Sequence, residues 1–324
     1  MNRLLIVVFS LLPLWSLAGN DFTFVELNCE NLFDCVHDSL KDDWEFLPEG
    51  KNHWTRTRYW RKVNRIGQEI IACGEDTAGW HLPDLVALCE VENDLVMRDL
   101  TKRSLLRKAR YEYLVTSSPD VRGIDVALLY NPFSFQLLHA QSIRIHPLKG
   151  MRPTRDILYA RGLILSGDTL HIFVVHAPSR SGGERDTRPH RQLIAEQLRL
   201  AVDSVRTSSP SPHIIIAGDF NDYTGDASLK ILKEASLCDV SENARGCHGA
   251  KGTYRYQGEW GSLDHIFCTM SMVAHLRGCR IFDAEFLLEE DTKYGGVKPR
   301  RNYLGPRYLN GFSDHLPLVA KFRF

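Results

Sequence analysis

What this chain lacks narrows it first. After its first eighteen residues it has no apolar run long enough to span a bilayer, which takes roughly 20 apolar residues. It has no excess charge of either sign, with 40 Lys plus Arg against 40 Asp plus Glu. Proteins that hold nucleic acid mainly through backbone charge are usually basic, so any basic surface here is local. Internal repeats, low-complexity segments and a Pro/Gly/Ser linker able to divide the chain are all missing. One domain over residues 19–324 is the expectation. At 44% apolar and 25% charged residues the composition is that of an ordinary globular protein.

Residues 1–18 stand apart. Met-Asn-Arg precedes an apolar run over 4–17 that Ser10 and Pro13 interrupt, and Ser16-Leu17-Ala18 is a small-x-small cleavage signal. The segment reads as a secretory signal peptide, predicting export to the periplasm or the exterior. No Cys sits beside the expected cut to carry a lipid anchor. Removing the segment takes away only Arg3, so the mature balance stays within one charge of neutral. Eight cysteines in an exported chain allow disulfides. Cys29 and Cys89 lie in strand-like stretches where free buried Cys is common. Cys247 and Cys279 are freer to pair, with connectivity open.

The stretch 213–222, His-Ile-Ile-Ile-Ala-Gly-Asp-Phe-Asn-Asp, organises the rest. Three consecutive Ile suit a strand buried on both faces. Asp219 and Asn221 then fall two apart, on the same side of an extended chain. Similar strand ends recur. The strand predicted over 22–28 ends in Asn28 and Glu30, that over 84–89 in Glu90, and that over 170–175 in His176. Asp264 lies in the strand predicted over 261–267, and Asp314-His315 precedes the closing strand, 318–324. Helices are expected around 59–70, with Arg61, Lys62 and Arg65 outward, and over 191–205 and 227–237. The residues 286–312 read as one long loop.

Open α/β sheets place ligand sites at such strand ends. Carboxylates without a thiolate set suit a hard cation, Mg²⁺ or Mn²⁺, with Ca²⁺ also allowed. Two histidines among carboxylates allow acid–base chemistry near neutral pH. Together these groups suit metal-assisted hydrolysis of a phosphate ester. Arg122, Arg152 and Arg155 are candidates to clamp phosphate. Lys293, Lys298, Arg300, Arg301 and Arg307 read as a solvated basic loop rather than a substrate lip, and Tyr254, Tyr256 and Trp260 as packing.

At this point the chain resembles the endonuclease/exonuclease/phosphatase family, whose fold is DNase I-like. The matching motifs are Asn28-x-Glu30, Leu88-Cys89-Glu90, His176-Ala177-Pro178-Ser179, Gly218-Asp219-Phe220-Asn221, Leu263-Asp264-His265 and Ser313-Asp314-His315-Leu316-Pro317. They stand in the family's order and spread over nearly all the mature chain. The resemblance implies a four-layer α/β sandwich of two mixed β-sheets flanked by helices. It also implies Glu90 as direct metal ligand, with Glu30, Asn28 and Asp314 supporting the metal; the family often has Asp at the position of Glu30, one methylene shorter. Asp219 would position or deprotonate the attacking water, and Asn221 and His176 would stabilise developing charge. Asp264 would orient His315 toward the scissile phosphate. The expected activity is that of a secreted, monomeric, metal-dependent endonuclease. The alternative substrate is a small or lipid phosphoester, as in a sphingomyelinase or an inositol phosphatase. A non-catalytic binding module that keeps the fold is the remaining reading.

Overall fold

The computed structural model describes residues 20–76 and 79–324. The expected export signal, 1–18, lies outside the described residues. Two six-stranded sheets, packed face to face, carry the chain. The sheet strands, in chain order, are β1 (Asp21–Leu32), β2 (Leu85–Val91), β3 (Glu112–Val115), β4 (Asp125–Tyr130), β5 (Phe135–Ile143) and β6 (Ile157–Ile164). They continue with β7 (Thr169–His176), β8 (His213–Asp219), β9 (Leu237–Asp239), β10 (Asp264–Thr269), β11 (Leu276–Ile281) and β12 (Leu318–Arg323). The first sheet runs β11-β12-β1-β2-β4-β3 and the second β9-β10-β8-β7-β6-β5. Each is mixed, with one parallel pair at its centre, β1/β2 and β7/β8, and antiparallel pairs outside.

The layering follows from strand periodicity. Ile215 and Ala217 face the core between the sheets, whereas Ile214 and Ile216 face a second core under the outer helices. That second core is closed by α2 (Glu184–Ser208) and α3 (Ala227–Glu234), through Ile194, Leu198 and Val202 of α2 and Leu229 and Leu232 of α3. Helix α1 (Arg56–Ala72) covers the first sheet with Tyr59, Val63, Ile66 and Ile70. The result is the four-layer α/β sandwich expected.

Several local expectations change. Lys62 is buried, not outward, and its ammonium donates to the Phe312 carbonyl. Positions 59, 62, 66 and 69 share the helix's inner stripe at three- and four-residue spacing, and Glu69 is buried with Lys62. The helix expected from 191 begins at Glu184 and holds Pro189 in its second turn, with Glu184 and Asp186 at its positive end. The segment 261–267 is two elements. Glu259–Gly261 pairs with Tyr254–Tyr256 in a hairpin, and Asp264 starts a core strand. The long loop is tied by two short antiparallel pairs, Leu288–Glu290 with Val297–Pro299 and Tyr303–Leu304 with Arg307–Tyr308. All eight cysteines are free thiols, Cys247 and Cys279 included, and Cys29, Cys73, Cys89 and Cys268 are buried.

Parallel pairing of β7 with β8 brings Gly218 opposite Val175 with φ +147°. A Cβ at Gly218 would stand 1.8 Å from the Val175 carbonyl oxygen. Gly218→Ala is therefore expected to cost about 3 kcal/mol or more in chemical denaturation, from strained backbone and displaced strands. Gly225→Ala, where an added methyl meets nothing within 4 Å, should stay within about 0.5 kcal/mol. Similar small losses at both positions would contradict the close approach.

Candidate active site

The two central parallel pairs end on the same edge of the sandwich, and their last residues turn out of the ladder there. Glu30, Asn31 and Glu90 have φ of +47°, +56° and +61°, and Asn221 has +51°. Register shifts accompany the first three, between Asn28 and Leu32 on β1 and between Cys89 and Val91 on β2. Such conformations cost on the order of 1 kcal/mol or more each for non-glycine residues and cluster at functional sites. A bulge at a strand end re-aims side chains away from the alternation of the strand. Here it turns Glu30 and Glu90 toward a common cavity of about 260 Å³, also lined by Asp314, His315, Arg301 and Lys51.

Each predicted residue has a defined place. Asn28 lies at the junction of the sheets: its Nδ2 donates to Asp219 Oδ2 (3.0 Å), and its Oδ1 accepts from the Glu30 N–H (2.9 Å). Glu30 accepts from the backbone N–H groups of Asn302 (2.5 Å) and Tyr303 (3.0 Å), one on each oxygen. Glu90 Oε2 accepts from the Asn31 N–H (2.8 Å), and Oε1 stands 3.8 Å from His176 Nε2. The same imidazole nitrogen is 3.7 Å from Asp219 Oδ2. Asp219 Oδ1 accepts from the Asn221 N–H (2.8 Å), while the Asn221 amide donates to the Ala177 carbonyl (3.0 Å). Antiparallel β10 starts where β8 ends, so Asp264 stands opposite Asp219. His315 Nδ1 donates to Asp264 Oδ2 (2.7 Å), which also accepts from Thr253 Oγ1 (2.5 Å). Asp314 Oδ2 accepts from Arg301 Nη2 (2.9 Å).

The structure adds groups that strand-end reading passed over. Arg301, expected in a solvated loop, stands between Asp314 and Glu30, 3.6 Å from the latter. Its neighbours in the sequence gave no sign of this, because the two residues lie far apart in the chain and meet only when the loop folds back. Ser313 Oγ donates to the Asn28 carbonyl (2.6 Å) and accepts from the His315 N–H (3.1 Å), joining the last motif to the first. Glu26 is buried behind Asp219 and Asp264 with both side-chain oxygens unpartnered. Period-two alternation from Asn28 would have flagged it, since Glu26 lies on the same side of β1. Tyr254, read as packing, holds its ring 4.9 Å from that of His315, the two planes tilted by 38°. Arg155 is no phosphate clamp: its guanidinium donates to Asp120 (2.9 Å) and to the carbonyls of His176 (3.1 Å) and Ala177 (2.6 Å).

Crowded burial sets the protonation of the site. Desolvation, then the nearby Asp264 carboxylate, pushes Asp219 up to about 7. Desolvation and Asp314 push Glu30 up to about 7. His176 is held well below the ordinary imidazole range by burial and by Arg155 and Arg122, so it is neutral at pH 7. For His315 burial opposes the charge, but Asp264 and Asp219 outweigh it and hold the ring protonated. Two donor sets could face a cation. Asp219, Asp264 and His315 offer ligand atoms within 4.8 Å of one another. In that set the protonated imidazole already supplies the positive charge, so it reads as an acid–base cluster. The cavity set of Glu30, Glu90 and Asp314 is all carboxylate. The donor chemistry of Glu30, Glu90 and Asp314 suits a hard divalent cation, with Arg301 supplying positive charge beside Glu30 and Asp314, whereas among the described residues it is the first set that brings three ligand atoms within 4.8 Å of one another.

A family model described as the endonuclease/exonuclease/phosphatase family matches residues 23–323. Among solved structures, a protein of that family from Bacteroides thetaiotaomicron is similar, at 16% identity and TM-score 0.64, over 94% of this chain and 98% of that one. A mannosyl-6-phosphatase from Bacteroides thetaiotaomicron VPI-5482 is similar at 16% identity and TM-score 0.59, over 92% of this chain and 98% of the other. TDP2 from C. elegans is similar at 16% identity and TM-score 0.58, over 95% of this chain and 77% of the other. Likeness at such identity establishes the fold alone. No curated protein matches the sequence.

The raised carboxyls make stability depend on pH with a definite sign. Glu30 and Asp219 at about 7, and Glu69 and Glu92 at about 8, keep protons that the unfolded chain releases near pH 4. Ionising them in the fold lowers stability as pH rises. Neutral His176 and His171 act oppositely, but only below about 6.5, where the unfolded imidazole still binds a proton. Above 6.5 the loss of the His315 charge adds to that of the carboxyls. In EDTA the melting temperature should therefore fall from pH 6.5 to 8.5. Mg²⁺ should restore it most at the higher pH, because a cation favours ionised carboxylates. Scanning calorimetry at three pH values checks this, and a flat or rising profile in EDTA would contradict it.

Proposed function

The chain belongs to the endonuclease/exonuclease/phosphatase family, and from that membership we propose that it is an exported, divalent-metal-dependent phosphodiesterase that cuts nucleic-acid strands. The observation that carries the proposal is the single cavity where Glu30, Glu90 and Asp314 meet His315. Glu90, Glu30 and Asp314 would hold the cation, Mg²⁺ first, with Mn²⁺ or Ca²⁺ able to use the same oxygens, and Asn28 would fix the strand end that aims them. When bound, a divalent cation supplies Lewis-acid stabilisation of charge on a phosphoryl oxygen.

The remaining roles fall to the protein's own groups. Asp219, near pH 7 in its proton affinity, orients the attacking water and takes its proton. Protonated His315, fixed by Asp264 through Nδ1, presents its other nitrogen to the scissile phosphate and supplies positive charge and a proton. His176 is neutral and buried beside Asp219 and Glu90. With Asn221 it donates to the oxygens on which charge builds. Residues 19–324 form one domain that works as a monomer, with 1–18 as its export signal. Among the described residues no helix is long and apolar enough to cross a membrane.

The choice of nucleic acid rests on space beside the cavity. Tyr254, Tyr256, Tyr294 and Leu304 line an adjoining pocket of about 350 Å³ that shares Arg301 and Asp314 with the cavity. Tyr256, Tyr294 and Leu304 are exposed there. Aromatic faces of this kind stack bases without regard to sequence. A phosphomonoester or lipid headgroup remains the alternative, motivated by the neutral charge balance and by the likeness to a mannosyl-6-phosphatase.

Supercoiled plasmid incubated with the protein, with and without EDTA, tests the reading. Nicking should require the metal, and His315→Ala should lower kcat by about 10²-fold or more with little change in KM. An intact plasmid alongside metal-dependent cleavage of sugar phosphates or lipid headgroups would reject the nucleic-acid substrate. Glu90→Gln should weaken Mg²⁺ binding by calorimetry at least about tenfold while leaving the melting temperature of the metal-free protein unchanged or raised, since it removes a charge from a crowded acidic edge. Unchanged Mg²⁺ affinity would take Glu90 out of the ligand set.

A further inference from the structure

Beyond the His176 strand end lies a second cavity, of about 480 Å³, that none of the roles above uses. Its walls include Arg122, Arg152, Thr154, Ser179, Thr187 and His190. Both Arg122 and Arg152 are exposed. Arg122 reaches only 3.8 Å from Asp120, and Arg152 makes no ion pair among the described residues. The only carboxylate on the wall, Asp120, is already engaged: it accepts from Arg155 Nη1 (2.9 Å) and from the Arg122 N–H (2.9 Å). The lining is therefore net positive. Thr154, 3% exposed, lies on this wall with its hydroxyl lacking any hydrogen-bond partner. A buried hydroxyl left unpaired is costly; this one is closed to solvent and reaches an acceptor in the cavity by a turn of its side chain.

The cavity is mechanically joined to the catalytic edge. Arg155, in its floor, grips the carbonyls of His176 and Ala177, and Pro178 and Ser179 continue the same strand end into its wall. Two residues of chain span at most about 7 Å, so the wall of this cavity begins within that distance of the His176 backbone.

We infer that this cavity is a second anion subsite, in which Arg122 and Arg152 grasp, and Thr154 donates to, a phosphate of the substrate other than the one being cleaved. The assignment rests on the reading of the neighbouring edge as a phosphoester-cleaving centre. Guanidinium groups suit it because they pair phosphate oxygens in bidentate fashion. That second phosphate is either the neighbouring link of a nucleic-acid strand or a further phosphate on a small molecule. An overall neutral protein thereby gains local affinity for a polyanion.

Two measurements decide it. Inorganic phosphate is titrated by calorimetry into the full chain in EDTA, so that no metal in the catalytic cavity holds it and the variants report the arginine-lined cavity. Wild type should bind, the Arg122→Ala/Arg152→Ala protein should bind at least tenfold more weakly, and Thr154→Val should fall between. No binding by wild type, or equal binding by all three, overturns the subsite whether or not the protein proves to be a phosphodiesterase. The second measurement compares KM for a dinucleotide with and without a 5′-terminal phosphate, and for a sugar bisphosphate against its monophosphate. A preference for the doubly phosphorylated partner that shrinks tenfold or more in the double variant supports the subsite, and the pair that shows it identifies the source. Absence of preference in both pairs, with turnover intact, overturns it. A protein that turns over neither pair fails the proposed function instead, and the phosphate titration alone then decides whether the subsite exists.

Discussion

Like charges brought together at one end of a closed sandwich set the terms for this molecule. Glu26, Glu30, Glu90, Asp219, Asp264 and Asp314 gather around a single edge, and several are withdrawn from water. Buried carboxylates of one sign cannot all ionise without compensation. The protein answers in three ways. It holds protons on Asp219 and Glu30 to about pH 7. It places the cations His315 and Arg301 among the acids. It turns backbone N–H groups of Asn31, Asn221, Asn302 and Tyr303 toward carboxylate oxygens. What remains at the open side is a cavity still rich in carboxylate, which is the electrostatic setting a divalent cation completes.

Holding that edge together demands a scaffold that does not yield. The central parallel pairs supply it, because each strand there is buried on both faces and bonded on both sides. The strain sits where the chain leaves those pairs, at the left-handed residues Glu30, Asn31, Glu90 and Asn221. Tertiary contacts lock each one. Glu30 is fastened by the loop at 302–303, and Glu90 by Asn31. Asn221 is fastened by Ala177 and Asp219. The loop itself is anchored from behind, where Tyr303 donates to the Asn52 carbonyl and sets its ring 5.8 Å from that of Trp54. Distant segments thus converge on the edge without any of them being rigid alone.

The surroundings of the edge are unlike on its two sides. Beyond Asp314 lie tyrosines and an exposed Leu304, offering flat apolar faces; beyond His176 lie arginines and an unpaired buried hydroxyl. A neutral chain can present such contrast because net charge is a sum over the whole surface, whereas recognition at a cleft depends on the few groups within a Debye length of it.

Sequence alone marked the buried strands and the polar groups at their ends, because both are written in short-range patterns, and the order of those motifs carried the family resemblance that implied the sandwich. Consecutive Ile214–Ile216 and the alternation on β1 mark buried strands, and polar groups set directly after them mark an edge exposed to ligand. Burial of Lys62 and Glu69 was also present in the helical spacing, though masked by their charge. Other features were decided only by the tertiary structure, because they join segments far apart in the chain. The bond from Asn28 to Asp219 spans 191 positions and that from Asn302 to Glu30 spans 272. Neither periodicity nor composition carries information on such pairings. The role of Arg301 among the acids, the left-handed turns that aim Glu30 and Glu90, and the arginine-lined cavity beside His176 exist because two sheets close on one another. Packing geometry, not local preference, fixes which loop ends meet.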